Sequence, residues 1–192
     1  AFSPTHIMGY ENNIFVYSID GGTTWTSAAT QTTNFKIEIL NANLGFAMVG
    51  NDLFRTTDGG DTWINMVTQG ILISHWDMAD QNTGIAEEPV NGKIYYTTDG
   101  GHTWNLRTNS FQINDLAMLS PSELYVASTS QIFSSDTALT FTDIGSRIDP
   151  TFYRIARIPT GGILFYSSSA MVLNPQLGYP QCKVNASFNQ AY

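Results

Sequence analysis

Thr97-Thr98-Asp99-Gly100-Gly101-His102-Thr103-Trp104 has three further versions along this chain. Ser18-Ile19-Asp20-Gly21-Gly22-Thr23-Thr24-Trp25 and Thr56-Thr57-Asp58-Gly59-Gly60-Asp61-Thr62-Trp63 are intact, and Ser134-Ser135-Asp136-Thr137-Ala138-Leu139-Thr140-Phe141 is a worn copy. Asp20, Asp58, Asp99 and Asp136 stand 38, 41 and 37 residues apart, so one supersecondary unit of roughly 40 residues repeats. The chemistry of the motif specifies a tight turn, because the carboxylate accepts hydrogen bonds from turn amides and glycine tolerates positive φ. The aromatic that follows, Trp25, Trp63, Trp104 or Phe141, is expected to plug the space between neighbouring units.

Working outward, strand patterns surround each copy. Phe35 to Leu40 alternates, Gly45 to Val49 is a short apolar run, Asp52 to Arg55 leads into the turn and Trp63 to Val67 leaves it, which predicts four strands per unit. The third unit reads the same way through Ile71 to Met78, Thr83 to Ala86, Lys93 to Tyr96 and Trp104 to Leu106, and the fourth runs from Phe111 through Leu124 to Val126. A fifth unit, Tyr153 to Pro159 and Gly162 to Tyr166, lacks the turn motif, with Asn174 to Pro180 in its place. In the first unit, Ser3-Pro4 followed by Ile14 to Tyr17 aligns with Ser120-Pro121 followed by Gln131 to Phe133, which leaves its first strand without a counterpart. An unpaired inner edge invites aggregation, so the stretch Ser187 to Tyr192, or a strand from a neighbouring chain, is expected to complete the ring.

The repeated octapeptide resembles the Asp-box, or BNR repeat, of sialidases, xyloglucanases, sortilin-type receptors and photosystem II assembly factors. That resemblance implies an all-β fold, a β-propeller of about five four-stranded blades whose outer strands are joined by Asp-box hairpins. A single domain over 1–192 is expected, with blades at about 1–33, 34–69, 70–109, 110–148 and 149–192.

Composition narrows the functional classes. Charged residues make up only 12% of the 192 residues against 42% hydrophobic, so Thr, Ser, Asn and Gln must cover the surface. Such a coat is common in secreted, cell-surface and virion proteins, and an extracellular, cell-surface or periplasmic location is expected. Eight Lys and Arg in a chain of net charge −8 supply no basic stripe for nucleic acid, and no apolar run approaches a membrane span. Cys182, the single cysteine, cannot form an internal disulfide.

Candidate sites are sparse. Tyr153-Arg154-Ile155-Ala156-Arg157-Ile158-Pro159 is similar to the sialidase segment that supplies one arginine of a carboxylate clamp, but three converging arginines are needed, and Arg55 and Arg107 adjoin the turns. For glycoside hydrolysis, Glu38, Asp77, Asp115, Glu87 and Glu88 are the candidate carboxylates on inner strands or their adjoining loops, with Glu87 and Glu88 read as solvated acids of a loop. His6, His75 and His102 are scattered, and each Asp-Gly-Gly turn offers one useful carboxylate, so neither a metal nor a cofactor is expected. With the turn aromatics assigned to the core, Trp76 is left to serve a ligand. Together with His75, Tyr153 and Arg154 it is expected to ring the central opening. The sequence therefore reads as a non-enzymatic extracytoplasmic binding or assembly module for a protein partner, a glycan or further copies of itself. A lectin, glycoside hydrolase or sialidase-like protein is the alternative.

Overall fold

The computed structural model describes residues 4–11, 14–31, 35–66, 70–108, 112–128, 131–136, 140–146, 154–158, 162–166 and 171–173. They form eighteen strands and five antiparallel sheets. The first sheet holds β1 (Ile7–Glu11), β2 (Ile14–Ser18) and β3 (Thr26–Gln31), and the second β4 (Phe35–Ile39), β5 (Gly45–Val49), β6 (Asp52–Thr56) and β7 (Ile64–Asn65). The third comprises β8 (His75–Met78), β9 (Gly84–Glu88), β10 (Lys93–Thr97) and β11 (Asn105–Thr108), and the fourth β12 (Ile113–Ser120), β13 (Glu123–Ser128), β14 (Gln131–Ser135) and β15 (Thr142–Ser146). β16 (Arg154–Ile158), β17 (Gly162–Tyr166) and β18 (Met171–Leu173) make the fifth. In every sheet the strands follow chain order, each pairing with its neighbours in sequence.

Among the described residues three sheets have four strands and two have three. The strand expected from Ile71 shortens to His75–Met78, and the one expected over Trp63 to Val67 shortens to Ile64–Asn65. Ser187 to Tyr192, Cys182 and Asn174 to Pro180 lie outside the described residues.

The chain divides into two compact units, one of Ala1–Ser74, Asp80–Thr83 and Thr97–Trp104, the other of His75–Ala79, Gly84–Tyr96 and Asn105–Tyr192. In the first unit the hairpins share one hydrogen-bond scheme. The hydroxyl that ends the strand, Ser18, Thr56 or Thr97, donates to Oδ1 of Asp20, Asp58 or Asp99 at 2.7–2.8 Å. The hydroxyl oxygen of Ser18, Thr56 or Thr97 in turn accepts the N–H of Gly22, Gly60 or Gly101 at 2.8–2.9 Å. Each aspartate also accepts the N–H and hydroxyl of Thr24, Thr62 or Thr103. Glycine is needed at position 100, where φ is +71° and a Cβ would lie 2.7 Å from the Gln81 carbonyl oxygen. Its N–H donates to Asn82 O at 2.8 Å, tying the hairpin to the turn after β8.

The aromatics behind these turns differ in burial. Trp104 is 5% exposed, and a Cβ at Gly101 would touch both its ring and Leu53 of the second sheet, at 3.7 and 3.5 Å. Trp25, expected in the core, keeps 49% of its surface exposed, and the aliphatic beside Gly22 is Ile7 of its own sheet.

The second unit is built on two apolar layers. Ile85 and Ile94 of the third sheet pack with Ile113, Leu116, Met118, Leu124 and Val126 of the fourth. The opposite face of the fourth sheet, through Ala117, Tyr125, Ala127 and Ile132, packs on Ile163 and Phe165 of the fifth. Alternation along β12 and β13 sends successive side chains to opposite faces, so sheets stack face to face in chain order. Phe141 packs against the first layer.

Candidate functional site

β8, β12 and β16, the first strands of their sheets, bring charged side chains together in the second unit. Asp77 on β8 is 5% exposed, and its Oδ2 accepts both the Met118 N–H at 2.7 Å and Arg157 Nη2 at 2.6 Å. The same Arg157 nitrogen donates to Met78 O at 3.0 Å, so β16 is joined to β8 twice. One repeat later, Asp115 Oδ2 accepts the Ile155 N–H of β16 at 2.9 Å. Each aspartate thus ties a backbone amide of the following sheet's first strand, and charge-assisted bonds of this kind are about twice as strong as neutral ones.

His75 and Asp77 share one face of β8, being two residues apart. His75 Nδ1 lies 3.0 Å from Oε2 of Glu87, its cross-strand partner on β9. Glu87 is 2% exposed, so the expectation of a solvated loop acid is corrected: β9 runs through Glu88, and pairing with β8 carries the carboxylate inside. Glu88 pairs with Lys93 Nζ at 3.1 Å.

Of the four residues expected around a central opening, His75, Trp76 and Arg154 lie among the described residues. Trp76 is 0% exposed, because it lies on the opposite face of β8 from His75 and that face is buried, so its ring is not presented to a ligand. Arg154 is exposed at the start of β16, opposite Tyr166. Tyr153 lies outside the described residues. The sequence offers Glu87 only as a loop acid and Arg157 only within the sialidase-like segment; the signal for the group they join was Asp77-Met78-Ala79 recurring as Asp115-Leu116-Ala117.

A second feature lies at the outer end of the fourth sheet. The worn turn is one residue shorter than its relatives: Tyr17 faces Thr26, Arg55 faces Ile64 and Tyr96 faces Asn105, but Ser134 faces Thr142. The buried strand-end hydroxyl is consequently Ser135, the counterpart of Ser18, Thr56 and Thr97, and not Ser134 as the sequence alignment has it. Asp136 follows that hydroxyl directly, out of register with Asp20, Asp58 and Asp99, whereas Phe141 keeps the tryptophan position one residue before the outer strand. Beside this turn is an open cavity of about 330 Å³. Its wall includes Tyr125, whose hydroxyl donates to Glu123 Oε1 at 2.8 Å; burial first, then Glu123, pushes that hydroxyl well above the usual tyrosine range, so it remains a donor.

The intact turns have their own electrostatics. Hydrogen bonds from the Thr24 and Thr62 hydroxyls and amides hold Asp20 and Asp58 down to about 2 from an ordinary 3.8. Asp99 is also lowered: burial acts to raise it, and the Thr103 and Thr97 hydrogen bonds prevail. No group of three or more metal-ligating side chains occurs among the described residues, and no helix there is long and apolar enough to cross a membrane.

No family model matches the chain, and no curated protein matches it. Solved structures do. YCF48 bound to D1 peptide is 17% identical with a TM-score of 0.61 over 90% of this chain. A GH74 enzyme of Niastella koreensis is 18% identical with a TM-score of 0.62 over 94%. Virginiamycin B lyase from Staphylococcus aureus is 10% identical with a TM-score of 0.67 over 97%. This chain spans 60% of the YCF48 chain, 30% of the GH74 chain and 72% of the lyase chain. At these identities the likeness shows the fold: antiparallel four-stranded sheets of the β-propeller kind.

Proposed function

We propose that the chain is a non-enzymatic, extracytoplasmic binding module whose sheets are propeller blades with Asp-box hairpins, and that its ligand is a protein partner. The observation that carries this reading is the single oxygen Asp77 Oδ2, which takes both the Met118 N–H and Arg157. A carboxylate spent on holding three strands together serves rigidity rather than proton transfer, which requires a group within reach of substrate. A rigid stack of sheets with an uncharged polar coat suits recognition of a protein, and YCF48, of similar fold, is a structure bound to a D1 peptide.

Glycan binding or hydrolysis is the second reading, favoured by the likeness to a GH74 enzyme and by the hydroxyl-rich cavity of the fourth sheet. The two part experimentally. Purified chain should be silent on a glycan array and on a chromogenic glycoside panel, and should form a saturable complex with a protein from its extracellular surroundings. Glycoside turnover that Asp77→Asn or Glu87→Gln abolishes while the variant keeps its melting temperature would overturn the proposal.

A further inference from the structure

The cavity of the fourth sheet has a short side chain in its wall, Ser134. At the position preceding the buried strand-end hydroxyl, the first three sheets carry Tyr17, Arg55 and Tyr96, and the fourth carries Ser134. Two of these longer side chains, Arg55 and Tyr96, reach neighbouring groups. Arg55 sets its guanidinium 5.8 Å from the ring centroid of Phe46, its cross-strand neighbour, and against the hairpin at Gly100. The Tyr96 hydroxyl reaches across to donate to Pro121 O at 3.1 Å. In the fourth sheet Tyr125 takes the place of Phe46 opposite Ser134, and nothing of comparable length extends from Ser134 itself.

We propose that this cavity receives a guanidinium group, the side chain of an arginine on the protein partner; the inference rests on the protein-binding reading above. The lining chemistry selects the ligand. Among the described residues all eight lining side chains, three serines and two threonines with Tyr125, Glu123 and Asp136, end in oxygen, and none ends in nitrogen. An oxygen-only wall with two carboxylates favours a cation that donates many hydrogen bonds, and guanidinium offers five donors and no acceptor. Arg55 shows that a guanidinium fits the equivalent place on another sheet of the same chain. A bare metal ion suits the site less, since about 330 Å³ far exceeds one ion and no cluster of three metal-ligating side chains occurs among the described residues. A sugar lacks its usual platform, because Tyr125 is only 1% exposed.

The test is a titration of the purified chain with N-acetyl-arginine amide, followed by amide chemical shifts of Ser134 and Tyr125. Saturable shifts are expected, with at least about tenfold weaker binding of N-acetyl-lysine amide, a difference appropriate to fork geometry against a point charge. Glu123→Gln should weaken arginine binding about tenfold. Ser134→Arg, which refills the cavity after the pattern of Arg55, should abolish binding at an unchanged or raised melting temperature. No saturable binding to the native chain, equal binding of the lysine amide, competition by calcium or glucose, or full binding by a folded Ser134→Arg variant each overturns the assignment. If Ser134→Arg still holds the protein partner, the arginine pocket fails while protein binding survives; if the arginine amide binds but no protein does, the reverse is true.

Discussion

The third and fourth hairpins are two versions of one device, and the difference between them shows what the motif contributes. In the third, Thr97, Asp99 and Gly101 close a hydrogen-bonded turn behind which Trp104 is buried to 5% exposure. In the fourth, one residue fewer separates the strands, the glycines are replaced, and Phe141 is only partly buried. The aromatic position survives the loss of the aspartate register because packing requires only an apolar ring before the outer strand. The aspartate register does not survive: Asp136 directly follows the strand-end hydroxyl of Ser135, whereas Asp20, Asp58 and Asp99 each stand two residues after theirs.

The largest effect that would sharpen this contrast is aromatic truncation. Trp104→Ala is expected to cost about 3–5 kcal/mol, and Phe141→Ala distinctly less, read as urea midpoints at constant slope. Equal losses would mean that the two hairpins bury their aromatics alike. Trp25→Ala should also fall below Trp104→Ala, given the half-exposed indole.

Next comes the register. Thr97→Val removes a hydroxyl that serves both Asp99 and the Gly101 amide, and should cost roughly 1–3 kcal/mol, about 2–10 °C in melting temperature. Ser135→Val should be felt more than Ser134→Val, which is expected to stay within about 0.5 kcal/mol. The opposite order would restore the alignment of Ser134 with Ser18.

The smallest effect is on acid stability. Asp20, Asp58 and Asp99 have folded values below the unfolded 3.8, about 2 for the first two. Their contribution is therefore complete above about pH 4 and is lost as pH falls towards 2. A chain with all three changed to Asn should show a flatter dependence of melting temperature between pH 4 and 2. An unaltered slope would dissociate the turns from acid sensitivity.

Much of the architecture was legible in the residues. Gly45–Val49 and Phe35–Ile39 were readable because a fully buried strand shows as an apolar run and a half-buried one as alternation. Glu87, Trp76 and Arg157 were not. Their settings depend on which sheet face is covered and on a strand some 80 residues away, and neither is a property of local sequence. The oxygen-lined cavity was hidden for the same reason, since a short Ser134 matters only once its cross-strand row is known.

By itself the sequence determined the repeat, the strand-turn-strand grammar and the turn chemistry, because each follows from the conformational preferences of Asp, Gly, Thr and β-branched or aromatic residues within a few positions. Tertiary structure alone decided which acids are buried and bonded, which aromatics are covered, and where a missing side chain leaves space. Those outcomes arise from faces meeting across sheets, where burial and charge pairing are set by partners that local sequence does not name.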